Sequence, residues 1–234
     1  MKLCIVGDSH LAAFKNGWNQ ISSEFQNVNI TFFGSQGASL SCLEAENGAL
    51  VPRNSLIADR LAFTSGGLKE VRAADYEHCL LVGLGLLVPR LDERHSGAFV
   101  DRALSDAINL SLSMRTAKRW RSISEAPISV VHTPLPAPSK NEEPSLYDRP
   151  ISYDRIVEVW RRELAAIASA TLLAQPPGTR GKGLSTKRDF SAGSLRLDTG
   201  QVDPKDIVHH ESDNVHMNAK YGAAFLRAFF INRV

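Results

Sequence analysis

The chain has 234 residues, 43% of them hydrophobic, and a formal charge of +2. That length and composition can bury a full core as one domain, and the near balance of charge argues against a broad nucleic-acid footprint. Three cysteines (Cys4, Cys42 and Cys79) are too few and too scattered for a disulfide framework or a Cys-based zinc site, and no run approaches the ~18 apolar residues of a membrane span.

The N-terminus reaches Gly7-Asp8 before a signal-like apolar region can form, so the expected location is the cytoplasm. Leu3 to Val6 reads as a buried strand that breaks at Gly7-Asp8-Ser9-His10, and a helix is expected from Leu11 to Phe25. Where a strand of an α/β sheet turns into a helix, its carboxyl end is a usual ligand site, which puts Ser9 at the mouth of one. A serine hydroxyl is a weak nucleophile and needs a base and a home for the developing oxyanion. The bland alternative is that Ser9 or Asp8 only caps the helix.

Val28 to Phe33 is β-branched and aromatic and reads as a second strand, ending in Gly34-Ser35-Gln36-Gly37. Residues 44–75 read as an insertion, with short strands at Ala49–Val51 and Leu56–Phe63 forming a small hairpin. Cys79 to Val88 is the most apolar run and is expected to be a central strand and its exit, with Cys4 and Cys79 as core residues. A helix from Ser96 to Ile123 should bury Phe99, Ala103, Ala107, Leu110 and Met114, and the basic cluster Lys118-Arg119-Trp120-Arg121 reads as a solvated helix end or an anion patch.

Pro127 to His132 is a fourth strand, followed by a Pro-rich exit and a polar loop to about Pro150. Ser152 to Leu173 is an amphipathic helix with Ile156, Val159, Trp160, Leu164 and Ile167 inward, and the next strand starts near Leu172. Gly178 to Gly200 is a long loop with a possible strand at Ser194–Leu197, and Asn218 to Ile231 is the last helix. Strands alternating with helices argue for a single three-layer α/β domain with a mainly parallel sheet.

Just before the last helix, Asp213 and His216 have the spacing that lays a carboxylate beside an imidazole, fixing its tautomer and stabilising the imidazolium. If this loop reaches Ser9, His216 is the missing base; otherwise it is a structural histidine. Asn218 has the chemistry of a helix N-cap. His209, His210, Glu211, Asp213 and His216 also invite a metal reading. Against it, the adjacent His209-His210 pair would point to opposite sides of an extended chain, and the sequence holds no second ligand cluster. No metal or cofactor is expected. His132, at a strand end, is a possible pocket residue with no evident partner.

Gly7-Asp8-Ser9 after the first strand, together with Asp213-x-x-His216 before the last helix, resembles the SGNH/GDSL hydrolase superfamily. The resemblance implies a flavodoxin-like fold and an esterase, lipase or carbohydrate deacetylase activity. It maps the nucleophile to Ser9 and the aspartate and histidine to Asp213 and His216. The glycine N–H of the oxyanion hole falls on Gly37, to which the N–H of Ser9 would add. The substrate implied is a small-molecule or carbohydrate ester, with hydrolysis or O-acyl transfer to a sugar hydroxyl as the outcomes.

One block departs: Leu87 stands where the family places an asparagine that donates to the oxyanion. Losing one such donor costs roughly 10²–10³ in turnover. Gln36, Asn214 or a backbone N–H would have to replace it, or the chain is a binding protein that keeps the fold without the chemistry.

Overall fold

The computed structural model describes residues 1–138, 149–200 and 207–231. Most of the polar loop expected before Pro150 lies outside the described residues. In chain order the elements are β1 (Lys2–Gly7), α1 (Leu11–Ile21), β2 (Asn29–Gly34), β3 (Leu43–Glu46), β4 (Ala49–Pro52), α2 (Ser55–Ser65) and β5 (Val71–Arg72). They continue with β6 (His78–Val82), α3 (Gly97–Leu110), α4 (Leu112–Arg121), β7 (Ile128–Val131), α5 (Tyr153–Ala168), β8 (Ala170–Leu173) and α6 (Ala219–Ile231).

Five strands pair in parallel in the order β2-β1-β6-β7-β8. Helices cover both faces, as an all-parallel sheet requires, so the fold is three-layer α/β with flavodoxin-like strand order. Alternate residues of each strand feed the two layers. Cys4, Val6, Cys79 and Leu81 face the core under α3, α4 and α5, whereas Leu3, Ile5, Leu80 and Val82 face α1 and α6. All eight are fully buried. The chain leaves β1 in one direction for β2 and returns on its other side as β6, so the loop after β1 sits at the switch point where such sheets bind ligands.

The insertion differs from its expected form. Leu56–Phe63 lies within helix α2 rather than a strand. The Asn54 side chain accepts from Leu56 N at 2.8 Å and caps the start, Ile57, Leu61 and Thr64 bury one helical face, and Gly66 at φ 83° ends it. The hairpin is instead β3–β4, closed by Asn47 and Gly48 at φ 48° and 78°, the two positive values of a type I′ turn. With β5 these strands make a second, three-stranded sheet.

The region from Ser96 to Ile123 is two helices. Ser111 breaks it with an extended backbone and caps α4 by accepting from Met114 N at 3.1 Å. The buried face of α3 is Val100, Leu104 and Ile108, one residue on from the expected stripe, and Phe99 and Leu110 stand 51% and 79% exposed. Trp120 is core, while Arg121 donates to the carbonyls of Ala168 and Ser169 at the end of α5, where a cation complements the unpaired carbonyls. Helix α5 buries Ile156, Val159, Trp160 and Leu164, leaves Ile167 exposed, and stops at Ser169 in the left-handed region. No helix among the described residues is long and apolar enough to cross a membrane.

His132 closes β7 as a fully buried group in a polar chain that does not reach the site. Its Nδ1–H donates to the Thr133 carbonyl at 2.6 Å, and its Nε2 accepts from the Tyr153 hydroxyl at 2.6 Å, which itself accepts from Gln175 N at 2.7 Å. Burial lowers its pKa to about 4. A neutral, buried histidine stabilises the fold fully above the unfolded value near 6.5, and that stability is lost as pH falls towards 4. The loss is of order 3 kcal/mol, shared in direction by His10 and His209, whose values burial also lowers. Urea midpoints measured from pH 7 to pH 4.5 should fall steeply for wild type and less steeply for His132→Gln, whatever its stability at pH 7. Equal slopes would overturn this assignment.

Candidate active site

The first strand delivers Ser9 to the carboxyl edge of the sheet. Leu11 N donates to the Asp8 carbonyl at 3.0 Å and the Asp8 carboxylate accepts from His10 N at 3.1 Å, so the turn between β1 and α1 is held by Asp8. The Ser9 hydroxyl is not a helix cap. Asp8 packs against Gly83, where an added Cβ would lie 2.5 Å from its Oδ1. Gly83, at φ 71°, thereby joins the loops after β1 and β6.

The last loop brings the other groups. Asn218 caps α6 by accepting from Lys220 N at 3.0 Å and Tyr221 N at 3.3 Å, and its amide donates to the Asp189 and Ala192 carbonyls at 2.8 and 2.9 Å. This ties the segment before α6 to the turn at Arg188–Phe190. The expected strand at Ser194–Leu197 is a short antiparallel pairing: Leu195 bridges Val208, Arg196 N donates to the Ile207 carbonyl at 2.7 Å, and His209 N to the Ser194 carbonyl at 2.9 Å.

Ser9, His216 and Asp213 meet. The Ser9 hydroxyl donates to His216 Nε2 at 3.0 Å, and His216 Nδ1–H donates to Asp213 Oδ2 at 2.8 Å. Asp213 Oδ1 accepts from His216 N at 2.9 Å and Val215 N at 3.0 Å. Burial alone would push the Asp213 carboxyl up, but the His216 backbone and ring N–H groups and the Val215 N–H outweigh it and hold it at about 2. A carboxylate has only lone pairs to offer, so the hydrogen sits on His216 Nδ1 and the Nε2 lone pair faces Ser9.

A second histidine lies beside the carboxylate. His209 Nδ1 lies 3.1 Å from Asp213 Oδ2, and its ring stacks on His216 with centroids 3.9 Å apart and planes at 11°. His10 also stacks on His216, with ring centroids 5.0 Å apart and planes at 26°. His210 turns away and pairs with the Ser212 hydroxyl at 2.8 Å. The nitrogen and oxygen atoms of His209, Asp213 and His216 fall within 4.8 Å of one another, close enough for a metal ion. Near-parallel stacked rings, however, send their in-plane Nδ1 lone pairs in parallel rather than towards one point. The His216 ring N–H donates to Asp213 Oδ2, and the stacking of His209 on His216 accounts for the short distance from His209 Nδ1 to the same oxygen.

A cavity of about 200 Å³ opens beside Ser9, lined by Gln36, Gly37, Arg196, Leu197, His209 and His216. Gly37, at φ 60°, begins the 3₁₀ turn Gly37–Cys42, where a backbone N–H has no partner within the turn. Gly34 N is already engaged, donating to the Thr64 hydroxyl at 2.9 Å. Leu87 is 63% exposed and does not line the cavity. Nor does Asn214, whose carbonyl accepts from Ala137 N at 2.7 Å. Gln36 does line it, its amide donating to the Leu197 carbonyl at 3.4 Å. His132 and the basic cluster ending α4 are not lining residues. Sequence reasoning weighed His209 only as a metal ligand and missed Arg196 and Leu197; residues 194–196 pair with 207–209, and Leu197 follows directly on that pairing.

No family model matches this chain, and no curated protein matches it in sequence. Among solved structures it is similar to the periplasmic domain of a lipopolysaccharide acetyltransferase from Salmonella ser. Paratyphi A, at 12% identity and a TM-score of 0.48, covering 99% of this chain and 82% of that one. A gut microbial diltiazem-metabolizing enzyme aligns at 14% identity and TM-score 0.38 over 74% of this chain and 36% of the other. A lipase from a goat rumen metagenome aligns at 9% identity and TM-score 0.39 over 97% and 96%.

Proposed function

We propose that the chain is a serine-dependent ester hydrolase or acyl-transfer enzyme acting through an acyl-enzyme on Ser9. What carries the reading is the unbroken hydrogen-bond chain Ser9–His216–Asp213, at 3.0 and 2.8 Å. His216 takes the hydroxyl proton as Ser9 Oγ attacks the ester carbonyl. Asp213, ionised at neutral pH, holds the ring in the tautomer that leaves Nε2 free and stabilises the imidazolium that forms. His216 then gives the proton to the departing alkoxide. The N–H groups of Ser9 and Gly37 take the developing oxyanion, with the Gln36 amide in the place that Leu87 leaves empty. Water, or a hydroxyl of an acceptor, then attacks the acyl group with His216 again as base. The cavity, at about 200 Å³, suits a short acyl group such as acetyl rather than a long chain.

The test is covalent labelling by a fluorophosphonate probe, located by mass spectrometry. Wild type should label at Ser9 alone, and Ser9→Ala and His216→Ala should label at background level. Folded wild type that stays unlabelled, or a His216→Ala variant that labels as fast as wild type, would overturn the reading. A binding role for the fold would then be the one left.

A further inference from the structure

Resting on the reading of Ser9 as the residue that is acylated, we propose that Arg196 is a specificity-determining residue that receives an anionic group, carboxylate or phosphate, on the alcohol half of the ester. Both residues border the same cavity of about 200 Å³. Among the described residues that line it, Arg196 is the one permanent charge, and none is a carboxylate. Asp213 holds the far nitrogen of His216 and is not a lining residue. A substrate entering there meets a positive side chain that no lining group offsets.

The chain fixes where that residue stands. Arg196 N donates to the Ile207 carbonyl at 2.7 Å, and Leu195 before it bridges Val208. Leu197 after it is buried against Gly34 at the end of β2, and its carbonyl accepts from the Gln36 amide at 3.4 Å. Arg196 is therefore anchored through the backbone on both sides, and it is exposed. Other arginines of the same long loop are taken up: Arg180 pairs with Asp154 at 3.8 Å, and Arg188 donates to the Pro138 carbonyl at 3.1 Å. Arg196 enters none of the ion pairs among the described residues. The carboxylate two positions on, Asp198, accepts from Gly200 N at 2.8 Å and acts on the charge of Lys15.

The charge is felt inside the site. Burial first, then His216, lower the His209 pKa to about 4, and the Arg196 guanidinium pushes it the same way, so the cation stands near a residue that lines the cavity. A guanidinium presents its N–H donors in a planar fork that fits two oxygens of a carboxylate or a phosphate. The short acyl group takes the space beside Ser9, so the half of the ester towards solvent is the alcohol, and Arg196 is exposed on that side. An exposed contact of this kind is screened by salt and is worth roughly five- to tenfold in affinity, not a thousandfold.

Two matched esters read the preference: 3-acetoxybenzoate, which is anionic, and 3-acetoxybenzamide, which is neutral and of nearly the same shape. Wild type should favour the benzoate in kcat/KM. Arg196→Gln should cut the benzoate-to-benzamide ratio roughly five- to tenfold, chiefly through KM. Arg196→Lys keeps the charge and should keep most of the ratio. Raising the ionic strength should erode the ratio in wild type and leave it level in Arg196→Gln. A third ester, 3-acetoxyphenyl phosphate, tells the two anions apart: the one on which Arg196→Gln loses more is the one the site takes.

A binding readout stands apart from turnover. Ser9→Ala has no nucleophile, so 3-acetoxybenzoate should bind it intact and move the His209 ring resonances in an NMR titration. Its Kd should be roughly five- to tenfold weaker when Arg196→Gln is added to Ser9→Ala. An unchanged ester ratio in Arg196→Gln, an Arg196→Lys variant as indifferent to charge as Arg196→Gln, or equal Kd values in the two Ser9→Ala proteins would overturn the proposal. If wild type took no fluorophosphonate label and turned over none of these esters, the reading of Ser9 would fall, and the pair of Kd values would still decide whether Arg196 holds the anion.

Discussion

Asp213→Asn should cut turnover of a short-chain ester by about 10⁴ while leaving the fold standing. The size follows from which oxygen each neighbour uses. Oδ1 accepts two backbone N–H groups, from His216 and Val215, so the amide oxygen of asparagine must take that place. The amide NH₂ is then forced to the Oδ2 position, facing the Nδ1 atoms of His216 and His209. A donor there can pair only with an unprotonated Nδ1, so His216 must carry its hydrogen on Nε2, pointing at the Ser9 hydroxyl. The base has then lost its lone pair at the one atom that reaches the nucleophile. The check is kcat on a chromogenic acetyl ester, with Ser9→Ala as the floor and a thermal melt as the control for folding. An Asp213→Asn enzyme within tenfold of wild type would remove Asp213 from the role of orienting group.

This site was legible at its two ends and opaque in the middle. Ser9 follows an apolar run and a glycine, a break that any parallel strand must make. Asp213 and His216 lie close in the chain, so their pairing is local geometry that spacing can foretell. His209 is different, because its place depends on pairing with Ser194, a contact that no periodicity announces. The lining beside Ser9 was equally hidden, since only the cavity shows that Gln36 and Gly37 border Ser9 and Leu87 does not.

In the fold, β1, β6 and β7 could be read from apolar runs because a strand buried on both faces has no polar alternative. The buried face of α3 was displaced by one residue because Phe99 and Val100 are both apolar and composition alone cannot rank them. Helix α2 did carry its signal, with Asn54 before and Gly66-Gly67 after. So did the turn at Asn47-Gly48, and in both places the local chemistry outranked the short apolar runs that suggested strands.

Gly222→Ala should destabilise the protein by about 2 kcal/mol, and Gly222→Val by about 3 kcal/mol or more, against the sign that helix propensity alone predicts. In a helix interior, alanine is worth roughly 1 kcal/mol more than glycine. Here the glycine lies where α6 crosses α1 at backbone contact. An added Cβ would collide with the Ala13 carbonyl and approach Phe14 N to 2.8 Å, and the facing Gly17 is as tightly held, its Cβ position 2.6 Å from the Gly222 carbonyl carbon. Neither obstacle is a side chain that can turn aside, so the helices must separate. Their separation also reaches the site. Ser9 lies two residues before α1 and His216 three before α6, and the 3.0 Å contact between them spans the two helix starts. Thermal unfolding should drop by about 4–8 °C for the alanine variant. Fluorophosphonate labelling of Ser9 should slow in the variants even at temperatures where they remain folded, because the helices that present Ser9 and His216 have moved apart. A stabilised Gly222→Ala would mean that α1 and α6 have room between them. The close packing that holds the two ends of the chain together would then have to lie elsewhere.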